Sequence, residues 1–233
     1  MPITVVRLRL FTCSLIFIFL LSGCGRFGGL SKTMEANYLK YRIEYMDKMA
    51  GDIPTRFLPA QMDSYYTKHF VLTRIEGLFN QFSLIQIADL KRKKVTTLLN
   101  FFGNRVFYKG THGELPAGIK ELEQMEYRLT GDKSVIGGLN SERIEIDTGK
   151  EQFDIYITRD FSVRQPNIVT PYHTIDSPLT DFPIQLSKLK MHLSCIGFES
   201  KTVESELFKV PENYRSVSRL EMEEIINSLF TKE

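Results

Sequence analysis

The chain has 233 residues and carries 30 Lys and Arg against 28 Asp and Glu, a formal net charge of +2. A chain of this length can bury a substantial core in one domain. The chain does not have the excess of basic residues that is typical of a nucleic-acid-binding domain, so we expect no nucleic acid partner. The only dense basic run, residues 91–94, is more typical of a solvated turn or strand end than of a binding patch.

The first 23 residues have the pattern of a secretion signal, and we exclude them from the fold. Arg7 and Arg9 supply a positive start, and residues 10–21 form a largely apolar run. That run is shorter than the roughly 20 residues that a helix needs to cross a bilayer. It ends in the tetrapeptide Leu21-Ser22-Gly23-Cys24, in which two small residues precede a thiol.

This tetrapeptide resembles the lipobox of bacterial lipoproteins. The resemblance implies cleavage between Gly23 and Cys24, a diacylglycerol thioether on Cys24, and acylation of the freed amine by a fatty acid such as palmitate. Two or three chains anchor a protein stably, whereas one binds a membrane only marginally. The alternative is an ordinary signal peptide, or an uncleaved anchor, with a coincidental Cys. In enterobacteria-like systems an Asp after the lipidated Cys tends to retain lipoproteins at the inner membrane. Since Gly25 stands there, the resemblance implies the outer membrane, facing the periplasm.

Removal of residues 1–23 changes the charge balance and the number of thiols. The segment holds two of the 30 basic residues and no acidic ones, which leaves 28 against 28. Cys13 leaves with it and Cys24 is lipidated, so Cys195 is the remaining thiol and we expect no internal disulfide. We expect residues 24–37 to form a lipidated tether and residues 38–233 to form a single domain.

Apolar and polar residues alternate in eight stretches of the mature chain, which is the pattern of half-buried β-strands. The eight stretches are 39–46, 71–76, 83–90, 95–102, 105–108, 143–147, 153–157 and 188–195. Many strands with short connections predict a curved antiparallel meander that forms a half-open barrel. The fold class is therefore α+β, mainly β. Cys195 falls on the apolar side of its strand, where we expect a buried small side chain.

Two helices and one long loop interrupt the predicted strands. Residues 116–125 carry apolar residues at helical spacing, which predicts a short helix. At the C-terminus, Ser218 and Glu221 form a capping box, and an apolar stripe from Met222 to Phe230 predicts an amphipathic helix. The Pro-rich residues 162–183 predict a loop of the length often found in functional lids or mobile segments.

The sequence offers little catalytic chemistry. Its four His residues do not stand at metal-ligand spacing with Cys or Glu, so we expect no metal and no cofactor. His173 and Asp176 share the Pro-rich loop with Ser177, but a nucleophilic triad is recognised by its geometry in space and not by sequence proximity. We therefore name no catalytic residue.

Aromatic residues are the remaining signal, because many of the 17 Phe and 10 Tyr are concentrated between residues 65 and 108. They are typical of core packing and of cross-strand pairs. The alternative is an apolar cleft for acyl chains or an apolar peptide. Its candidate residues are Tyr65, Phe70, Phe101, Phe107, Ile225 and Leu229. A continuous apolar cavity of more than about 300 Å³ would support ligand binding.

The C-terminal half resembles a known lipoprotein family. The segments that carry the likeness are 136–143, 156–160, 182–183 and 206–217, which include Ile136-Gly-Gly, Phe182-Pro183 and Phe208-Lys-Val-Pro211. They are similar to uncharacterised bacterial lipoproteins with a domain of unknown function, related to the LolA/LolB-like lipoprotein carriers. The resemblance implies an incomplete antiparallel barrel wrapped round helices, with an apolar cavity. It implies no catalytic residues.

We therefore expect a non-enzymatic lipoprotein, anchored through Cys24, that binds a lipid or another apolar ligand in its half-open barrel. The alternative is a structural or assembly lipoprotein that holds an envelope protein through a sheet edge or through the Pro-rich loop. A hydrolase that uses His173 is a third and weaker hypothesis.

Overall fold

The computed structural model describes residues 32–77 and 81–230. The signal segment, Cys24 and most of the predicted tether lie outside the described residues. Strands dominate the described part, whose one α-helix is α1, Arg219–Ser228. The strands are β1 Thr33–Tyr45, β2 Met49–Ala50, β3 Ile53–Pro54, β4 Gln61–Tyr66, β5 Phe70–Gly77, β6 Phe82–Asp89, β7 Lys94–Phe101, β8 Asn104–Lys109, β9 Glu126–Ile136, β10 Leu139–Asp147, β11 Gln152–Thr158, β12 Leu179–Leu186, β13 Leu189–Glu204 and β14 Arg215–Ser216.

Twelve strands form one large sheet, and β2 and β3 form a separate small pair. The order across the large sheet is β14-β8-β7-β6-β5-β4-β1-β13-β12-β11-β10-β9. Neighbouring strands are antiparallel, except for β14, which pairs in parallel with β8. The predicted class, mainly β with a curved antiparallel sheet, is confirmed. The sheet curves without closing into a barrel, so β14 and β9 remain as its two edges.

All eight alternating stretches of the sequence fall on strands, as predicted, with residues 46, 90, 102 and 188 at their ends lying just outside. The predicted tether extended too far, because β1 begins at Thr33 and not after residue 37. Residues 33–37 pair in register with residues 204–200 of β13, so their backbone groups belong to the sheet. Strands β4, β9 and β12 were not predicted, nor were the two-residue strands β2, β3 and β14.

The inner face of the sheet carries the main core. Strand alternation places Leu39, Tyr41 and Ile43 of β1 on this face, each at most 4% exposed. Cys195 of β13 lies in the same core at 4% exposure, as predicted. Burial raises the pKa of its thiol, so the neutral form is favoured and the side chain acts as a small apolar one.

Helix α1 covers one end of the inner face. Ser218 caps the helix, since its Oγ accepts a hydrogen bond from the Glu221 backbone N–H at 3.1 Å. The Glu221 side chain does not return to the cap, because Arg215 donates to it at 2.9 Å. The predicted apolar stripe is confirmed by Met222 and Ile226, which are 0% and 1% exposed.

None of the described helices has the length and hydropathy needed to span a bilayer.

The predicted helix over residues 116–125 is wrong. Gly118 has φ of +82°, in the left-handed region, which ends any helix at that point. The next residue, Ile119, forms an isolated antiparallel bridge with Leu186 at the end of β12. The apolar side chains of residues 116–125 pack on the sheet from an extended segment. Helical spacing of apolar residues therefore does not establish a helix here.

The predicted Pro-rich loop, residues 162–183, is a filled part of the core and not an open lid. Its last residues belong to β12, and Asn167, Val169 and Tyr172 are each at most 2% exposed. The Asn167 side-chain amide donates to the carbonyl of Ile175 at 2.6 Å, which holds the turn closed. We call residues 161–178, which lie between β11 and β12, the inner segment.

The helix offers a matched test of this packing. Met222→Ala should lower the free energy of unfolding by about 2–5 kcal/mol, because it leaves a cavity between α1 and the sheet. Leu220→Ala on the same helix is the control, since Leu220 is 67% exposed and its loss should cost less than about 0.5 kcal/mol. Equilibrium urea unfolding measures both values. Equal losses would contradict the packing of α1 described above.

Candidate functional site

The six residues of the predicted apolar cleft do not come together. Tyr65, Phe70 and Phe107 belong to a cluster on the outer face of the sheet. Phe101, Ile225 and Leu229 pack against the main core on the inner face. The separation follows from the strands, in which neighbouring side chains lie on opposite faces. The single cleft predicted from the sequence is therefore divided by the sheet itself.

The outer aromatic cluster is covered by the chain. The ring of Phe70 stacks on that of Phe208, with centroids 5.2 Å apart and planes 21° from parallel. Phe208 ends a short 3-10 helix, Ser205–Phe208, and is 7% exposed. Leu207, Val210 and Tyr214 of the same region pack against this cluster. These aromatic residues therefore have a structural role in packing, which the sequence analysis gave as the first interpretation, and do not form a cleft.

The inner face contains only small spaces around the predicted cleft residues. A cavity of about 30 Å³ lies between Phe101, Leu189 and Leu229. Two more, of about 30 and 20 Å³, lie deeper along the sheet beside Thr73 and Gln86. Spaces of this size hold a water molecule, whereas small-molecule sites measure roughly 300–1,000 Å³. The spaces beside the predicted cleft residues are therefore too small for a ligand, and a space of about 220 Å³ beside Phe153 and Tyr172 also falls below that range.

A much larger concavity lies at one end of the sheet and has a volume of about 720 Å³. We call it the basic groove. Its deeper residues are mostly apolar, and its outer residues are mostly basic. The deeper residues are Ala36, Tyr66, Leu90 and Val163; the exposed basic ones are Lys68, Lys91 and Arg164.

Two β-hairpin turns supply one side of the basic groove. In the turn between β4 and β5, the Thr67 hydroxyl accepts hydrogen bonds from the backbone N–H groups of His69 and Phe70, at 3.2 and 2.8 Å. In the turn between β6 and β7, the Asp89 carboxylate accepts from the N–H groups of Lys91 and Arg92, at 3.0 and 2.9 Å. Short polar side chains that bind the backbone in this way are typical of tight turns.

The two turns are also joined to each other. The Leu90 N–H donates to the carbonyl of His69 at 3.0 Å. Leu90 is 2% exposed, so this bond lies under the side chains that form the groove. The positions of Lys68 and Lys91 are thereby set by backbone hydrogen bonds on both turns.

The inner segment supplies the opposite side of the basic groove. Phe161 stacks on Phe198 of β13, with centroids 5.4 Å apart, and its ring also lies 5.7 Å from that of Tyr66. These contacts fix the start of the inner segment, so Val163 and Arg164 follow at a defined position. Burial raises the pKa of Tyr66 to about 12, so this phenol is neutral beneath the groove.

The basic residues of the groove lack acidic partners. Lys68, Lys91 and Arg164 form no ion pair with any described residue, whereas Arg92 lies 3.5 Å from Asp89. The acidic residue of the groove is Glu35, which accepts a hydrogen bond from the Thr202 hydroxyl at 2.9 Å. Three cations against one carboxylate leave the groove positively charged, which favours an anionic ligand.

The sequence analysis did not predict this groove. Its residues come from β1, from two turns and from the inner segment, which are far apart in sequence. The basic run 91–94 was the one local signal, and its assignment to a turn or strand end is correct. What the sequence could not show is that Lys68 and Arg164 lie beside the same groove as Lys91.

The structure does not assemble a nucleophilic triad in the inner segment. His173 and Asp176 are exposed, and neither side chain forms a hydrogen bond with a described residue. On the outer face, His192 Nε2 lies 2.7 Å from Asp181, and the Ser194 hydroxyl donates to the same carboxylate. The Ser194 hydroxyl is therefore hydrogen-bonded to the carboxylate and not to the imidazole.

Across residues 32–77 and 81–230, no cluster of three or more His, Cys, Asp or Glu has the arrangement of a metal site.

Comparisons with known proteins bear on the fold. No protein-family model matches the sequence. No curated protein matches it either. The structure is similar to those of PNGF-II in space groups C2 and P21, each with a TM-score of 0.52, 12% sequence identity and coverage of 84% of this chain. The chain spans 33% and 34% of those two chains, about a third of their length. At this identity the likeness extends to the fold alone.

Proposed function

We propose that the protein is a non-catalytic lipoprotein of the bacterial cell envelope, anchored by lipid on Cys24, whose basic groove binds a lipid or another amphiphilic ligand. The observation that carries the proposal is the groove of about 720 Å³, which combines an apolar floor with unpaired cations. This volume lies within the roughly 300–1,000 Å³ of small-molecule sites. The lipobox at residues 21–24 supports the anchoring.

The proposal places the ligand at the end of the sheet and not inside it. The resemblance to the LolA/LolB-like carriers implies a different position, with an apolar ligand inside a half-open barrel. The inner segment and α1 occupy that space in this structure, with Tyr172 at 1% and Ile226 at 1% exposure. The basic groove offers apolar and charged surfaces side by side, which suits a ligand with one polar end.

A structural or assembly role is the second candidate, and strand β9 favours it. This edge strand runs for 11 residues, and Tyr127, Leu129 and Val135 on it are 49%, 46% and 71% exposed. The outer backbone groups of an edge strand can pair with an added strand of a partner. We rank this role second because charged residues, including Arg128 and Lys133, also lie on β9, as they do on edges that avoid pairing.

Lipidation has a direct test. Cells that express the protein with radiolabelled palmitate should yield a labelled mature form, whereas Cys24→Ala should yield an unlabelled, unprocessed precursor. Cys195→Ala is the matched control, since Cys195 is buried in the core and should not affect labelling. Label on the Cys24→Ala protein, or its absence from the unmodified protein, would contradict the anchoring. Fractionation of the labelled membranes tests the expected location at the outer membrane, facing the periplasm.

Ligand binding is tested by native mass spectrometry of the protein extracted from its membranes in a neutral detergent. The unmodified protein should carry a noncovalent lipid, and Val163→Asp should lose it, because the substitution places a charge on the apolar floor of the groove. Val135→Asp on β9 is the matched control and should retain the lipid.

The same experiment separates the two candidate functions. An unmodified protein that carries no lipid would contradict binding in the groove. If β9 instead yields a stoichiometric cross-link to another envelope protein from position 135, the assembly role is favoured.

A further inference from the structure

The basic groove lies at the end of the sheet where the described chain begins. Asn37 of β1 pairs with Tyr66, the last residue of β4. Phe70, which begins β5, pairs with Asp89 at the end of β6. The first residues of β1 and the turns that carry Lys68 and Lys91 therefore share one end of the sheet.

The distance from this end to the predicted anchor is bounded by the chain. Seven residues, 25–31, lie between Cys24 and Lys32, so eight steps separate the two, and a fully extended chain spans at most about 3.6 Å per step. Lys32 thus lies within roughly 30 Å of an acyl-bearing Cys24 in any arrangement of the intervening residues. With lipid on Cys24, the groove is held within reach of the headgroups of the same membrane leaflet.

The cations of the groove match the charge of a bilayer that contains anionic lipid. Lys68, Lys91 and Arg164 are exposed and have no acidic partner among the described residues. Lys93 and Lys94 extend this charge along the same turn, and they too form no ion pair with a described residue. Each Lys or Arg near an anionic surface strengthens the attraction of the domain to that surface. An arginine also matches the oxygens of a phosphate group through paired donors.

We propose that the basic groove binds the phosphate-bearing headgroup of an anionic glycerophospholipid in the membrane that holds Cys24. In this arrangement Lys68, Lys91 and Arg164 contact the phosphate. The glycerol backbone and the first acyl carbons lie against Leu90 and Val163. The inference rests on the proposed function, for which it names the class of ligand. Binding a headgroup there also orients the domain with this end toward the bilayer.

The test uses the mature lipidated protein in nanodiscs made of equal parts phosphatidylglycerol and phosphatidylcholine. Native mass spectrometry after release from the disc identifies the lipids that remain bound, apart from the covalent chains on Cys24. The unmodified protein should retain phosphatidylglycerol at least tenfold over phosphatidylcholine, since the three cations of the groove attract an anionic headgroup. The triple variant Lys68→Gln, Lys91→Gln, Arg164→Gln should lose this preference.

A matched triple variant controls for the loss of charge. Lys48, Arg105 and Lys188 are exposed, lack ion pairs with described residues and lie at the opposite end of the sheet. Their joint replacement by Gln should leave the preference for phosphatidylglycerol unchanged. An excess of inorganic phosphate provides a further arm, which should lower phosphatidylglycerol retention no more than the same ionic strength of chloride.

The outcomes separate this inference from the proposed function. Retained lipid without a preference for phosphatidylglycerol would overturn the inference and leave the proposed function standing. No retained lipid in any disc would overturn both. Complete displacement by inorganic phosphate would assign the groove to free phosphate instead of a lipid headgroup. A preference that survives the groove variant, or disappears in the control variant, would show that the groove cations do not select the lipid.

Discussion

The open sheet must cover its own inner face, and the rest of the structure depends on this constraint. Strand alternation gives the twelve-stranded sheet a long apolar surface, and without barrel closure that surface would be exposed to water. The chain supplies the cover from α1 at one end and from the inner segment, residues 161–178, further along. Met222 at 0% and Tyr172 at 1% exposure mark the two regions. The interior is consequently a packed core.

The outer face meets the same requirement in a different way. Residues 205–214 cover its aromatic part, where Phe70 and Phe208 stack. Beside it, the Tyr38 hydroxyl donates to Asp63 at 2.7 Å, and Arg74 donates to the same carboxylate at 3.1 Å. Burial and the neighbouring Asp63 raise the pKa of Tyr38, so the phenol stays a hydrogen-bond donor. The chain thus covers much of both faces of the sheet, and the proposed binding site lies at the end of the sheet.

A similar cluster fastens α1 to the sheet. Glu114 accepts hydrogen bonds from the Thr111 hydroxyl at 2.9 Å and from Tyr108, and it also accepts from Arg219 at the start of the helix. Burial raises the pKa of Glu114, but the hydrogen bonds from the Thr111 backbone N–H, from Arg219 and from the Thr111 and Tyr108 hydroxyls outweigh it and lower the value to about 2. The carboxylate is therefore charged at neutral pH, where its hydrogen bonds with Tyr108 of β8 and with Arg219 of α1 connect the helix to the sheet.

Strands were predictable from the sequence where alternation is unbroken, as it is from Leu39 to Tyr45. Strand β9 escaped prediction because residues 130–132 lie opposite the single residue Arg143, and this bulge interrupts the period of two. The false helix at 116–125 arose because spacing alone does not reveal the left-handed backbone of Gly118. The basic groove depends on strand register: the pairing of β5 with β6 brings the β4–β5 turn beside the β6–β7 turn, and no single segment of the sequence encodes this arrangement.

We therefore assign ligand binding, as a proposal, to the end of the sheet where the described chain begins. A photoreactive benzophenone amino acid at position 163, in cells grown with radiolabelled phosphate, tests this assignment most directly. Irradiation should attach labelled phospholipid to the protein from position 163, in the groove, and not from position 135, on β9. Equal labelling from both positions, or a protein adduct without lipid at position 163, would contradict the assignment.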